Sequence, residues 1–217
     1  IPASELVIHG GNGHCGPTCN ATLAANMADA IARWAQYEVG GGGGGGSPLD
    51  VGTVGLLTFK QYPNFLYQAI GGLQTTTAFR DPAALDGAIE NLSAKGDVGD
   101  VTGPSVNSYI AVAGEYCSAL IAEVSGTAAD KRGFNTITGL NNFNITPATY
   151  SDTMRRAVIQ NFAQRFWGRM AADPAEMTPL LLQITETLAG LSTAQDTKNS
   201  AILTCTAIAT SPRGLAN

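Results

Sequence analysis

The sequence is poor in charge and in histidine, and it contains no long apolar run. Charged residues make up 13% of the 217 positions, about half of the share typical of soluble domains. Lys and Arg number 12 against 17 Asp and Glu, for a formal net charge of −5, so we expect no nucleic-acid partner. No apolar stretch approaches the roughly 20 residues of a membrane-spanning helix. These shortages indicate a weakly charged globular protein without a transmembrane segment.

Common catalytic motifs are missing as well. The sequence has no G-x-S-x-G nucleophile elbow, and its carboxylates are scattered at positions that caps, first turns and loops explain. Its two histidines, His9 and His14, both stand in the glycine-rich opening. A catalytic serine or cysteine would have to recruit a histidine from there. We therefore expect a protein that is not an enzyme.

The four cysteines, Cys15, Cys19, Cys117 and Cys205, lack the paired spacing that is typical of metal sites. An even number in a weakly charged chain rich in Thr, Asn and Gly favours disulfides formed in an oxidising compartment. We expect the pairs Cys15–Cys19 and Cys117–Cys205. The alternatives are a metal site in the His/Cys-rich opening, a cross-pairing between early and late cysteines, and four buried thiols.

An amphipathic helix followed by a glycine tether is predicted near the N-terminus. Its apolar residues recur at helical spacing: Leu23, Met27, Ile31 and Trp34. The helix ends where consecutive glycines occupy residues 40–46, a run that behaves as flexible coil. We therefore divide the chain into a Cys loop plus helix (1–39), a tether (40–46) and a helical bundle (47–217). The apolar stripe is expected to dock on the bundle or on another subunit.

Helical periodicity predicts an all-α bundle of about six helices after the tether, because strand signals are weak throughout. The clearest helix begins at Ser105 and has one apolar face: Val106, Ile110, Ala113, Cys117, Leu120, Ile121 and Val124. A later helix has apolar residues at intervals of four: Met154, Val158, Phe162 and Phe166. Cys117 and Cys205 lie on the apolar faces of two helices, which favours their pairing.

Proline and capping residues predict where the helices begin and end. Three pairs predict helix starts: Asp81-Pro82, Thr146-Pro147 and Asp173-Pro174. Thr193 predicts the start of the last helix, and Ser211-Pro212 its end. Pro63 predicts a break between two short helices. Residues 126–146, rich in Gly and Asn, are expected to form a loop.

Arginine and tryptophan suggest docking positions, since both residue types are enriched in interface hot spots. Arg165, Trp167 and Arg169 lie close together on the long helix, and Trp34 lies on the N-terminal helix. We predict that these four residues contact partner chains. A solvated face for the arginines and core packing for Trp167 are the alternatives.

Two parts of the sequence resemble known modules. The opening, ASELVIHGGNGHC and CNATLAANMADAIARWA, is similar to the closing half of a cytochrome-c-like domain in large secreted bacterial proteins. A second set, VNSYIAVAGEYCSALI, FAQRFWGR and ILTCTAIATSP, resembles the helical C-terminal region of the same multi-module proteins, which often contain LamG domains elsewhere. The resemblance implies an exported, modular, helical protein, periplasmic or extracellular, in a redox or surface assembly.

The covalent haem motif C-x-x-C-H is absent from these stretches. CGPTCN has the wrong spacing, and Asn20 stands where the axial histidine is required, so we expect no cofactor on this chain. The resemblance implies that His14 is a remnant axial ligand, for a haem that a missing segment or another chain would supply. The favoured function is a non-catalytic extracytoplasmic structural or docking subunit bound to protein partners. The alternative is an electron-transfer cytochrome-c-like module whose haem is supplied in that way.

Overall fold

Helices form the architecture of the part of the chain that the structure describes. The structure is a computed structural model, and it describes residues 57–73, 79, 81–92, 103–126, 133–169 and 174–215. Within these ranges no strand is present, and the helices are α1 Gln61–Ala69, α2 Pro82–Glu90, α3 Gly103–Ser125, α4 Asp152–Trp167, α5 Pro174–Thr187, α6 Ala194–Ala209 and α7 Pro212–Leu215. The predicted all-α bundle of about six helices is confirmed, and α7 adds one short turn.

Helix α6 is the centre of the described bundle. It contacts α3, α4 and α5, and almost every residue from Ser200 to its end is buried: Ser200, Ala201, Leu203, Thr204, Cys205, Thr206, Ala207, Ile208 and Ala209. Many of these side chains are small, and the distance between packed helices depends on the side chains at the contact. Three neighbouring helices can therefore pack closely around α6.

A disulfide joins α3 to α6. Cys117 and Cys205 are both fully buried, and their Cα atoms lie 5.8 Å apart, which is within the usual range for a disulfide. The predicted pairing of these cysteines is confirmed. The apolar face of α3 is confirmed for its buried part: Ala113, Cys117, Leu120, Ile121 and Val124.

Local capping sets the start of several helices, as the sequence predicts. The Asp81 carboxylate accepts a 3.0 Å hydrogen bond from the amide of Ala84, with Pro82 in the first turn of α2. Thr193 and Asp196 form a reciprocal capping box at the start of α6. Each cap satisfies backbone amides that the first helical turn leaves without partners. The helix starts predicted at Asp81-Pro82 and Thr193 are confirmed.

The start predicted for the long helix at Thr146-Pro147 is wrong. The amide and hydroxyl of Thr149 each donate a 3.0 Å hydrogen bond to the carbonyl of Thr146, which closes a turn. Ser151 then has extended backbone angles and caps α4 through the amide of Met154. A threonine hydroxyl that bonds nearby backbone competes with helix formation, so α4 begins only at Asp152.

The break predicted at Pro63 is also wrong. Helix α1 runs through Pro63, which lies in its first turn. The amides of the first turn have no partner within the helix, so a missing N–H there removes no hydrogen bond.

Beyond Ser211-Pro212, where the last helix was expected to close, the chain forms α7. The hydroxyl of Ser211 accepts a 3.0 Å hydrogen bond from the amide of Gly214 in that turn.

The segment that precedes α4 contributes to the core, although a polar loop was expected over residues 126–146. Two short 3-10 turns, Phe134–Thr136 and Asn141–Phe143, bury both of their phenylalanines. The ring of Phe134 lies 5.3 Å from that of Phe143 and 5.5 Å from that of Phe162 in α4. Apolar residues in irregular turns have no helical period, so a search for periodicity overlooks them.

Candidate functional site

Trp167, at the end of α4, is held by two hydrogen bonds to the C-terminal end of the bundle. Its indole N–H donates to the hydroxyl of Ser211 at 2.8 Å and to the carbonyl of Ile208 at 3.2 Å. The side chain is partly buried against the hydrophobic core. The tryptophan is therefore held in one orientation, with part of its surface accessible.

Two arginines lie over the Trp167 ring. The guanidinium carbon of Arg169 is 5.9 Å from the ring centre, and that of Arg213 is 5.8 Å from it, which is the range of cation–π attraction. Both arginines form an ion pair with the carboxylate of Glu176. The bond from Arg169 is bidentate, with nitrogen–oxygen distances of 2.7 and 3.2 Å. We call these four residues the arginine–tryptophan cluster.

The arginines of the cluster are more exposed than its glutamate. The side chains of Arg169 and Arg213 are 46% and 53% exposed, whereas the Glu176 side chain is 15% exposed. The carboxylate thus lies inside, and the two guanidinium groups face solvent. Guanidinium groups bind carboxylates and phosphates through paired N–H donors. The arrangement is chemically suited to an acidic partner.

A left-handed glycine ends α4 between two members of the cluster, Trp167 and Arg169. Gly168 ends the helix in the left-handed conformation, with φ of 65°, which glycine adopts without steric cost. This turn directs Arg169 towards the beginning of α5. Glu176 lies in the first turn of α5, where the helix dipole stabilises a negative charge.

Arg165 has other contacts, although it lies only one turn from the cluster in sequence. Its Nε donates to the side-chain oxygen of Asn161 at 2.7 Å, and its Nη1 donates to the carbonyl of Ala69 at 3.3 Å. The guanidinium also lies over the ring of Phe134. The structure therefore brings Trp167 and Arg169 together and places Arg165 among different neighbours. The prediction that all three contact a partner stays a prediction.

A groove of about 990 Å³ runs between α4 and the chain that precedes it. The described residues that line it are Gly133, Thr136, Ile137, Thr138, Ser151, Thr153, Met154, Ala157, Gln160, Asn161, Gln164 and Arg165. Hydroxyl and amide side chains dominate this list, together with a few apolar groups. Among these residues Arg165 alone has a charged side chain, and none has a carboxylate. The groove is a second candidate binding surface.

Sequence reasoning missed two members of the cluster, Glu176 and Arg213. Arg213 is remote from Trp167 along the chain, whereas Glu176 is only nine residues from it, and neither belongs to a recognisable motif. The position of Glu176 near the predicted start of α5 explained it as a first-turn charge. That explanation holds for its place on the helix but says nothing about its arginine partners. Only the folded chain brings α7 next to the end of α4.

Several predicted site residues lie outside the residues that the structure describes. These are Cys15, Cys19, His14 and Trp34, together with the predicted N-terminal helix and tether. Across the described ranges, no group of three or more His, Cys, Asp or Glu side chains is placed to hold a metal ion. No helix in those ranges is long and apolar enough to cross a membrane.

Comparison with known proteins adds no relative. No protein-family model, no curated protein and no solved structure matches the chain. The resemblance to cytochrome-c-like multi-module proteins therefore stays a hypothesis based on short sequence stretches.

Proposed function

We propose that the chain is a non-catalytic docking subunit of an exported protein assembly, and that the arginine–tryptophan cluster binds a carboxylate-bearing segment of a partner chain. The observation that supports this proposal most strongly is the geometry of the cluster. Trp167 is held by two hydrogen bonds, and Arg169 and Arg213 lie over its ring. Residues of these types, held in place before binding, are the common energetic centres of protein interfaces.

The charge of the cluster supports an acidic partner. Glu176 contributes one negative charge and the two arginines contribute two positive charges. A partner carboxylate can approach the exposed part of the two guanidinium groups. Because the arginines already lie against Trp167 and Glu176, little side-chain entropy remains to be lost on binding.

The disulfide supports the exported location in this proposal. The bond between Cys117 and Cys205 is fully buried. Structural disulfides are typical of secreted and periplasmic proteins and are rare in the cytosol. The low charge content of the chain, 13%, is consistent with a surface that is partly covered by other subunits.

Peptide binding to the full chain tests the docking site. In a Trp34→Phe variant, Trp167 is the one remaining tryptophan, so its fluorescence reports on the cluster. Titration with an acetylated hexaglutamate amide is expected to give a saturable change that weakens as salt is added. The matched hexalysine and hexaserine peptides are expected to give none.

Arginine variants separate the cluster from general charge effects. The double variant Arg169→Gln/Arg213→Gln is expected to abolish the fluorescence response. Arg156→Gln is the matched control, because Arg156 is an exposed arginine of α4 that pairs with Asp152 at 2.7 Å, and it should leave the response intact. An equal response to all three peptides, or a response that persists in the double variant, would overturn the proposal.

A further inference from the structure

Two carboxylates of α2 differ from the other carboxylates in the described part of the chain. Asp86 and Glu90 are both exposed, and neither forms a hydrogen bond or an ion pair within the described ranges. The remaining described carboxylates are buried or interact within the chain: Asp81, Glu115, Glu123, Asp152, Glu176, Glu186 and Asp196. Asp86 and Glu90 are therefore the described carboxylates that another molecule can bind without first breaking a contact.

Helix α2 presents these two carboxylates on the side that faces away from the bundle. It packs on α3, and positions with helical spacing on α2 and the turn after it contact the core: Leu85, Ala88, Ile89 and Leu92. The exposed residues Ala83, Asp86, Gly87 and Glu90 form the opposite stripe, because residues three and four apart share one side of a helix. The Cβ atoms of Asp86 and Glu90 are about 5–6 Å apart. The helix thus displays a pair of carboxylates on a face of small residues.

The small residues on this face leave room for a partner. A Cβ atom added at Gly87 would meet no other atom within 4 Å, so the space between the two carboxylates is open. A surface without protruding side chains can approach a partly exposed aromatic ring such as that of Trp167. The guanidinium groups of Arg169 and Arg213 lie 5.9 and 5.8 Å from the centre of that ring and share one carboxylate. Since the two groups are so close together, carboxylates one helical turn apart can reach both.

We propose that the partner of the arginine–tryptophan cluster is a second copy of this chain. Asp86 and Glu90 of that copy bind the two exposed arginines, and the small residues beside them cover Trp167. This inference rests on the function proposed above and names its partner. Within one chain neither carboxylate bonds to the cluster, so the contact joins two molecules. Because the two surfaces are different, the contact is heterologous, and copies associate head to tail into a ring or an open chain.

Sedimentation velocity of the full chain tests the association. The sedimentation coefficient is expected to rise with protein concentration at low salt and to return to the monomer value at about 0.5 M salt, which screens surface charges. Asp86→Asn/Glu90→Gln is expected to weaken the association by about tenfold or more. General charge repulsion predicts the opposite, since this variant removes two negative charges from a chain of formal net charge −5. The matched control is Asp152→Asn, which removes an exposed carboxylate that pairs with Arg156 and should leave the association unchanged.

A mixture of two variants tests the head-to-tail arrangement. Arg169→Gln/Arg213→Gln should be as weakly associated by itself as Asp86→Asn/Glu90→Gln. An equal mixture of the two should form a dimer that grows no further, because one variant supplies the intact cluster and the other supplies the intact α2 face. Gly87→Gln keeps every charge and suits a helix better than glycine does. It should still weaken the association, because its side chain fills the space between the carboxylates.

The peptide titration separates this inference from the proposed function. Asp86→Asn/Glu90→Gln keeps the cluster intact, so in the Trp34→Phe background it should still bind the hexaglutamate peptide. Peptide binding by a parent chain that stays monomeric at low salt up to about 1 mM would overturn the second copy as the partner and leave the docking site in place. Absence of peptide binding in the parent would overturn the docking site itself. Association that persists in either double variant, or a mixture that forms no dimer, would also overturn the inference.

Discussion

Two regions around the central helix α6 differ in how they are stabilised. Where α6 meets α3, the buried disulfide between Cys117 and Cys205 joins the two helices, and both contribute side chains to the apolar core. In α5 and the first half of α6, buried polar side chains replace much of this apolar surface: Gln183, Thr187, Thr197 and Ser200. A side-chain oxygen of each of these four hydrogen-bonds to no protein atom that the structure describes.

The difference shows that burial and stability are separate quantities. Both regions are inaccessible to solvent, but burying a hydroxyl or an amide without a hydrogen bond costs free energy, whereas burying apolar surface releases it. The disulfide between α3 and α6 also lowers the conformational entropy of the unfolded chain. We therefore expect the disulfide region to resist local unfolding more strongly than the region of α5 and early α6.

Removal of the disulfide should have the largest effect on this comparison. The double variant Cys117→Ala/Cys205→Ala opens the loop that the disulfide closes, whose ends are 88 residues apart in the sequence. In the chain-entropy model, closing such a loop is worth about 4–5 kcal/mol. Guanidinium chloride unfolding at pH 7 should therefore show a loss of that order. A loss below about 1 kcal/mol would mean that packing alone stabilises the α3–α6 contact, and free thiols found at both positions in the parent protein would remove the basis of the comparison.

Alkaline pH should destabilise the fold through its buried tyrosines. Burial raises the pKa of Tyr62 well above its usual value, and the nearby Tyr109 raises it further. Burial also raises the pKa of Tyr150, against a smaller lowering by Arg155. The unfolded tyrosines lose their protons near pH 10, whereas the folded ones keep theirs. This contribution to stability is therefore fully present below about pH 10 and is lost as the pH rises further, by up to about 1.4 kcal/mol per pH unit for each tyrosine.

Equilibrium unfolding at several pH values between 9 and 11 measures how the free energy of unfolding changes with pH. Two variants then show which tyrosine causes this pH dependence. Tyr62→Phe and Tyr150→Phe should each reduce the slope. At pH 7 they should differ, because the Tyr62 hydroxyl donates to the carbonyl of Ala209 at 3.5 Å, whereas the Tyr150 hydroxyl has no hydrogen-bond partner among the described atoms. Tyr150→Phe should raise the free energy of unfolding at that pH by about 1 kcal/mol, because it removes a buried hydroxyl without a described partner. A slope that neither substitution changes would contradict the explanation.

Replacement of a buried hydroxyl should have the smallest effect, with opposite signs at two positions. Thr187→Val removes a hydroxyl that has no described partner and should raise the free energy of unfolding by about 1 kcal/mol. Thr204→Val is the matched control, since the Thr204 hydroxyl donates to the carbonyl of Ser200 at 2.9 Å, and it should lower stability by about 1 kcal/mol. Thermal unfolding of both variants measures the change in stability that each substitution causes. Equal destabilisation would show that the Thr187 hydroxyl is satisfied in solution.

Sequence patterns predicted the elements that depend on neighbouring residues. The cap at Asp81 and the capping box that begins at Thr193 are local, because all their hydrogen bonds lie within a few residues. The apolar face of α3 repeats with the helical period, so both the helix and the position of Cys117 on its buried face could be predicted. The pairing with Cys205 followed because that cysteine also lies on a buried helix face.

Sequence patterns failed where a local hydrogen bond competed with helix formation, or where the structure depended on contacts between separate parts of the chain. At Thr146-Pro147, a local hydroxyl bond closes a turn where a helix start was predicted. Phe134 and Phe143 are buried from irregular turns that have no period. In the candidate site, the sequence indicated Trp167 and Arg169 by residue type, but Glu176 and Arg213 are brought to them only by the fold.

The sequence by itself therefore determined the helical class, the helix starts at Asp81 and Thr193 and the two inward-facing cysteines, because hydrophobic periodicity and capping act over one or two turns. The tertiary structure alone decided which helix became central, which polar groups were buried beside it and which charges surround Trp167. These features depend on contacts between residues far apart in the chain, and the free energy of such contacts appears only when the helices pack.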